Sequence, residues 1–485
     1  MFVGRARELK TLSKQYDADG FSFVVVYGRR RVGKTTLLNR FSAGKPTFRM
    51  LCLEDSPSAN LGAFSRSLAL LEREISLATS DPAASSAVVS RAGAQSAYPA
   101  YPDFQSALDR LFELGRDRRI VAVFDEYPYL SEAVPSFDSM LQHAVDRAAE
   151  EGSGVMLVLC GSSVSYMERD VLGKHSPLHG RNTALVKVEP LPFAETRLLH
   201  PDCEPVWQAE AYGALGGTAL YHRKFNDGLT IRENIEQNLL DPDCFLFSEP
   251  DTVMNRARLR SQGSYRGVLS AMAAGASKQN EISQAAGVEY GRCGQMLQVL
   301  EDQRLVRRDM PFGEGASSRQ GSWSVADPFL RLWYASVPPF VSMIDAGRVG
   351  PALDWTCERL QGFMGSAFEQ ICAQWLWADG YERIPFDLRE QGRWWHDGGS
   401  GRQAEIDIVG KGVDQNDMLF CECKWRNEDV GVGVLDGLVE KSHALKPRRP
   451  YYLVFSKTGF TQACRDRAEA LGNVGLVGFA EMAAR

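Results

Sequence analysis

The apolar positions of the chain fall into short continuous runs in its first third and mixed helical and alternating patterns thereafter. Phe23 to Tyr27 is a β-branched run that breaks into a glycine-bounded loop and a helix-like continuation, so residues 23 to 36, FVVVYGRRRVGKTT, read as strand, loop and helix. Residues 47 to 53, TFRMLCL, read as a second strand. IVAVFDEYPYL, residues 120 to 130, and VMLVLCGSS, residues 155 to 163, are apolar runs that end in polar groups, as expected of parallel strands buried on both faces. Ahead of them, FVGRARELKTL leans helical and is either an ordinary surface helix or one packed beside whatever the glycine-bounded loop holds. The Ala-, Ser- and Pro-rich residues 79 to 103 suggest a surface excursion between elements.

From about residue 190 to 250 the pattern is helical and polar-rich, broken by GALGGTALY, and reads as a small helical lid. Residues 262 to 325 give three helical stretches, then RRDMPF, a Gly/Ser-rich loop and SWSVAD, the order of a winged helix-turn-helix. Its third helix carries Arg292 but also Glu301 and Asp302, so DNA contact and a protein–protein or lid role stay equally open. DPFLRLWYASVPPF, residues 327 to 340, is expected to be a hinge whose aromatics pack between domains. Residues 358 to 377 read as an amphipathic helix, and strand-like AEIDIVG, MLFCECKW and YYLVFSK follow before a last helix-like segment. The expected domains are 1–190, 191–255, 256–340 and 341–485.

Bulk properties narrow this picture. A chain of 485 residues is too long for one ordinary core. With 44% apolar and 24% charged residues it has the composition of a globular protein rather than a disordered or fibrous one. A net charge of −6 argues against a globally basic nucleic-acid coat and leaves room for local basic patches. MFVGRARELK lacks a signal-peptide core, and no apolar run approaches the roughly 18 residues of a membrane span, so a cytoplasmic protein without membrane association is expected. Ten cysteines without C-x-x-C pairs point to buried small hydrophobes. His175 and His179 have helical metal-ligand spacing, but Pro177 between them spoils the helix.

Two stretches carry chemistry. Gly28 to Thr35 fits G-x-x-x-x-G-K-[ST], in which Gly28 and Gly33 let backbone N–H groups close on phosphates, Lys34 reaches the β/γ oxygens and Thr35, with Thr36 beside it, faces Mg²⁺. Asp125 is placed to hold Mg²⁺ through water and Glu126 to act as general base. Ser162 either senses the γ-phosphate or serves as a turn or N-cap residue. Arg181 either neutralises γ-phosphate charge, in its own site or that of a neighbouring subunit of a homo-oligomer, or is a surface residue. No Asn-Lys-x-Asp guanine-reading tetrapeptide is present, which favours ATP over GTP.

In the C-terminal stretch, alternation puts Glu405 and Asp407 on one strand face and Glu422 and Lys424 together on the next strand, with Ile406, Ile408, Cys421 and Cys423 facing a core. Asp407 and Glu422 could clamp Mg²⁺, Lys424 could orient the attacking water, and Glu369 from the preceding helix could complete the metal site, as phosphodiester cleavage requires. The alternative is a strand pair with a cross-strand salt bridge.

FVGRARELKTL, YGRRRVGKTTLL, VFDEYPYL, LCGSS and SPLHGR together resemble the archaeal-type ATPases, P-loop enzymes near the AAA+ and STAND groups. DPFLRLWY, GFMGSAFEQ, AEIDIV and CECKW look like the domain of uncharacterised function that often ends them, itself similar to PD-(D/E)xK nucleases. The resemblance implies an α/β protein: a P-loop NTPase parallel sheet with a helical lid, a winged helix-turn-helix middle domain and a C-terminal α/β restriction-nuclease-like domain. Gly28, Gly33, Lys34 and Thr35 would then bind phosphates, Asp125 and Glu126 would be the Walker B pair, and Glu369, Asp407, Glu422 and Lys424 would match the nuclease core. Gly216, Gly217, Thr218 and Ala219 stand where related lids show a glycine-glycine-x-proline turn, and the nuclease motif lacks its Pro-Asp form. The expected function is an ATP switch controlling a DNA-acting nuclease-like domain. The alternatives are a regulatory ATPase whose last domain only binds a partner and a scaffold that oligomerises on ATP.

Overall fold

The computed structural model describes residues 2–79, 100–256, 261–315, 318, 320–396 and 404–484. Most of the expected excursion at 79 to 103, and residues 397–403, lie outside the described residues. The chain forms two compact units, Phe2–Pro190 and Leu191–Arg485.

In the first unit, β1 (Ser22–Tyr27), β2 (Thr47–Leu51), β3 (Ile120–Asp125), β4 (Val155–Gly161) and β5 (Ala184–Lys187) form a parallel sheet in the order β2-β3-β4-β1-β5. Every residue of β1, β3 and β4 is buried, which is why those segments read as unbroken apolar runs. Alternate residues feed two cores. Val24, Val26, Val121 and Val158 pack with Leu12, Leu37 and Leu38, while Phe23, Val25, Phe124 and Leu157 pack with Phe64, Leu108 and Leu141 on the other face. Helices therefore cover both faces, and the carboxyl ends of β1, β3 and β4 emerge along one edge.

The second unit begins with helical segments, including Pro205–Leu215 and Phe245–Arg256, and continues with helices Gln262–Ala273, Gln279–Ala286 and Tyr290–Asp302. An antiparallel hairpin of β6 (Val306–Asp309) and β7 (Ser322–Val325) follows, the element order anticipated for a winged helix-turn-helix. The expected hinge at 327 to 340 is instead largely a buried helix, Pro328–Ser336, because Phe329, Leu330, Leu332, Trp333 and Tyr334 all join one core. Helix Gly350–Ala378 leads to a second sheet of β8 (Leu388–His396), β9 (Ala404–Gly412), β10 (Asp417–Lys424), β11 (Arg449–Ser456) and β12 (Val474–Gly478). Its order is β12-β11-β10-β9-β8, with β8, β9 and β10 antiparallel and β10, β11 and β12 parallel.

A continuous core runs from Phe193 through Leu269, Leu297 and Phe329 to Phe368, Cys421 and Met482, so the helical segments, the hairpin module and the last sheet share their apolar interior. The Phe368 ring lies 5.1 Å from Trp425 and 5.8 Å from Phe479 and pins the long helix to the sheet. The cysteines are all free thiols, and most are buried. Among the described residues no helix is long and apolar enough to cross a membrane.

One consequence concerns the core. Phe368→Ala should lower the unfolding free energy of the second unit by about 3–5 kcal/mol, whereas truncating Val413, 65% exposed, should change it by less than about 0.5 kcal/mol. Urea unfolding followed by tryptophan fluorescence checks both; an unaltered midpoint for Phe368→Ala would contradict the packing described.

Candidate functional site

Strand β1 delivers the glycine loop, and helix Lys34–Ser42 leads away from it. A Cβ on Gly28 would lie 2.1 Å from the carbonyl oxygen of Val188, so only glycine permits the backbone approach that lets the Val188 N–H donate to Tyr27 O at 2.7 Å. Gly33 turns the loop into the helix with φ +93°. Lys34 is buried, and its Nζ donates to the loop carbonyls of Gly28 at 2.8 Å and Arg29 at 3.1 Å. Burial lowers its pKa, an effect opposed by nearby groups that include Asp125 and Glu126.

The Thr35 hydroxyl donates to Asp125 Oδ2 at 3.0 Å, joining the end of the loop to the end of β3. Thr36 is exposed beside it. Because β4 stands between β1 and β3, its end brings Ser162 next to Glu126, whose Oε2 accepts from the Ser162 hydroxyl at 2.7 Å and the Ser162 N–H at 3.1 Å. Glu126 itself has φ +57°. Among the described residues, Arg5, Arg31 and Glu126 are the non-glycine positions of this unit with positive φ. Each costs about 1–3 kcal/mol and is held there by its surroundings.

Arg181 is an ion-pair residue. Its Nε and Nη2 donate to Asp146 at 2.6 and 2.9 Å and its Nη1 to Pro177 O at 2.9 Å, none of them a P-loop or Walker B residue. Arg5 lies in the helix-leaning GRAREL stretch, where nothing in the local pattern marks it as a partner of the loop. It is 6% exposed, and its Nη2 donates at 2.9 Å to the carbonyl of Val32 inside the glycine loop while Nη1 pairs with Glu8. The N-terminal segment thus braces the loop from within the same unit.

In the second unit, strict alternation fails at Asp407. Ile406 packs into one core of the sheet and Ile408 into the other, and the register with β8 shifts between Gly392 and Trp394, the mark of a β-bulge. The β9–β10 ladder ends at Ile408–Cys421, and the side chain of Asp407 replaces the missing backbone partner by accepting the Cys423 N–H at 2.7 Å. Glu422, 6% exposed, accepts from Lys424 at 2.6 Å and from Lys441 of helix Val432–Ser442 at 3.1 and 3.2 Å. Arg393 of β8 pairs with Glu405 and lies 3.9 Å from Glu369. No spacing in the sequence pointed to Lys441 or Arg393, because both reach the cluster only through the tertiary fold.

Electrostatically the cluster carries excess negative charge. Burial, then repulsion from Asp407, pushes Glu369 up to about 7. Burial, then repulsion from Glu422, pushes Asp407 up to about 6, against the pull of the Cys423 N–H and Lys424. A cation arriving here would relieve both. Among the described residues, no three His, Cys, Asp or Glu side chains converge closely enough to hold a metal ion as the structure stands.

Comparison with known proteins bears on both units. Residues 2–211 match the family model described as an ATPase domain predominantly from Archaea, and residues 333–434 match DUF234, described as Archaea bacterial proteins of unknown function. A protein of Methanocaldococcus jannaschii named as uncharacterized is 27% identical over 430 residues, 88% of each chain. An uncharacterized ATP-binding protein of the same organism is 42% identical over 45 residues, 9% of this chain and 76% of its own. Among solved structures, the Walker-type ATPase of Pyrococcus abyssi gives a TM-score of 0.49 at 17% identity, covering 69% of this chain and 96% of that one. The ORC2 protein of Aeropyrum pernix in its ADPNP–ADP complexes gives 0.42 at 14% identity, covering 74% and 94%.

The raised carboxyls yield a pH prediction with a definite sign. The folded protein binds protons that the unfolded chain releases, so the stability they contribute is full below the unfolded values of 4.5 and 3.8 and is lost as pH rises through about 6 to 7. Glu369→Gln removes one of the two charges, and it should gain on the order of 1–2 kcal/mol on the parent between pH 5 and pH 8. Denaturant unfolding at the two pH values measures this; a difference independent of pH would contradict it.

Proposed function

Since this chain joins an ATPase domain of the predominantly archaeal family to a DUF234 region, we propose that it is an ATP-binding and ATP-hydrolysing switch that controls a DNA-directed, metal-dependent nuclease-like site at its C-terminal end. The observation that carries the reading is the alignment of Lys34, Thr35, Asp125 and Glu126 along one sheet edge. The loop N–H groups and the helix N-terminus at Lys34 favour a triphosphate, and the Lys34 ammonium exchanges its carbonyl partners for β/γ oxygens. Thr35 and Asp125 offer hard oxygens facing each other at 3.0 Å and would hold Mg²⁺, which when bound neutralises phosphate charge. Glu126 accepts the proton of the attacking water, and Ser162 fixes the orientation of its carboxylate. Arg5 keeps the loop in its binding shape through Val32.

At the C-terminal site, Asp407, Glu422 and Glu369 would hold the divalent ion, which supplies Lewis-acid activation of a phosphodiester. The raised carboxyls of Glu369 and Asp407 support this fit, since a cation would offset their repulsion. Lys424 moves from Glu422 to orient water and to stabilise developing charge. ATP occupancy then sets access to this cluster by favouring one conformation over another. A second reading, a non-catalytic partner-binding domain, draws on the same site: Glu422 already has two ammonium partners and Asp407 a backbone N–H, so the cluster is partly self-compensated.

Two experiments follow. Glu126→Gln should retain ATP binding while ATP turnover falls at least about 100-fold, and Lys34→Ala should lose binding itself; unchanged turnover in Glu126→Gln would remove Glu126 from the mechanism. Cleavage of linear, circular and single-stranded DNA with Mg²⁺ or Mn²⁺, with and without ATP, should be lost in Lys424→Ala and altered in Lys34→Ala. No cleavage under any condition, with ATP turnover intact, would leave the partner-binding reading.

A further inference from the structure

The hairpin module and the last sheet flank an open cleft of about 240 Å³ lined by Lys278 and Ser322 from the module and by Arg393, Trp395, His396 and Glu405 from β8 and β9. Its walls are tied together. The Phe312 N–H donates to Arg393 O at 2.8 Å, Trp395 Nε1 donates to Gln320 O at 3.2 Å, and the Trp323 N–H donates to Ser277 O at 2.7 Å. The Lys278 Nζ is held over the hairpin by Gln320 O at 3.0 Å. The cleft is therefore built into the fold.

We propose that this cleft receives one nucleotide of a single DNA strand and leads that strand to the carboxylate cluster. The proposal rests on the DNA-directed reading of the C-terminal region and adds where and in what form the substrate enters. Three features select the ligand. Lys278 and Arg393 supply phosphate-binding donors at the rim, where anions are drawn to cations. Trp395, half-buried with its ring edge fixed by the bond to Gln320, offers a rigid aromatic surface against which a base stacks. Stacked bases in a duplex do not present a free face to an aromatic ring, so the Trp395 surface favours a single strand.

The direction of the strand follows from Arg393. Its guanidinium pairs with Glu405 in the cleft and lies 3.9 Å from Glu369 at the candidate metal site, so a phosphate that replaces Glu405 on Arg393 sits beside Glu369 and Asp407. The bulge that turns Asp407 toward Cys423 lies on β9, the strand paired with β8, so cleft and cluster share one stretch of sheet. In this arrangement Arg393 is a positioning residue that bridges substrate phosphate and carboxylates.

The test measures binding apart from cleavage. The full-length protein in EDTA is titrated into a short fluorescein-labelled single-stranded DNA oligonucleotide, followed by anisotropy, beside the variants His396→Glu, Trp395→Ala and Trp395→Phe. His396 is exposed, so His396→Glu tests the cleft without disturbing its walls. His396→Glu and Trp395→Ala should each weaken binding about tenfold, Trp395→Phe should retain most of the affinity, and the duplex of the same sequence should bind more weakly than the single strand. Parental affinity in both His396→Glu and Trp395→Ala, or tighter binding of the duplex, would overturn the proposal. Selective single-strand binding in a protein that cuts nothing would sustain the cleft while removing the nuclease reading; cleavage by variants of parental affinity would do the reverse.

Discussion

The hydrogen bond from the Thr35 hydroxyl to Asp125 organises the first unit, because it joins the end of the glycine loop that follows β1 to the end of β3, a strand far away in the sequence and separated from β1 in the sheet by β4. The bond forms where β1 and β3 are parallel, fully buried and in register with the strand between them. Once they are, the loop carbonyls hold Lys34, and the end of β4 carries Ser162 against Glu126. The backbone is strained at Glu126 and Arg31, next to the place where phosphate would lie, as expected where the surrounding structure fixes a site in advance. Arg5 adds a buried guanidinium that donates to the loop carbonyl of Val32 and so braces the loop from the N-terminal segment.

The second unit solves a comparable problem with a break in regularity. A regular β9 would direct Ile406 and Ile408 to the same core; the bulge separates them and frees the Asp407 carboxylate to take the Cys423 N–H. Burying Glu369 and Asp407 within repulsive reach of other carboxylates is costly, and their raised carboxyls express that cost. Lys424, Lys441 and Arg393 offset it in part. Such a cluster suits a divalent cation or a positively charged partner, and the DNA strand we propose for the adjoining cleft would be received by Trp395, Lys278 and Arg393 rather than by the carboxylates.

Much of the architecture was legible in the sequence, for definite reasons. Phe23 to Tyr27, Ile120 to Asp125 and Val155 to Gly161 announce themselves because buried parallel strands are apolar at every position. The glycine loop is legible because only glycine tolerates the Val188 carbonyl at Gly28. The rest depends on tertiary neighbours that local pattern does not encode. Strand order decides that Ser162 meets Glu126, and a surface ion pair with Asp146 occupies Arg181. The double proline after the aromatic run suggested a hinge, yet Trp333 and Tyr334 are drawn into the shared core, and burial outweighs the punctuation. A bulge leaves no period-two signature, so the departure at Asp407 was invisible beforehand.

We propose that nucleotide at the P-loop changes the state of the C-terminal cluster. Hydrogen–deuterium exchange of helix Gly350–Ala378 and strand β10, with and without ATP and Mg²⁺, tests it most directly when the parent is compared with Lys34→Ala. ATP should alter protection around Glu369 and Glu422 in the parent and leave Lys34→Ala unchanged. Exchange that changes only within residues 2–190 would contradict it.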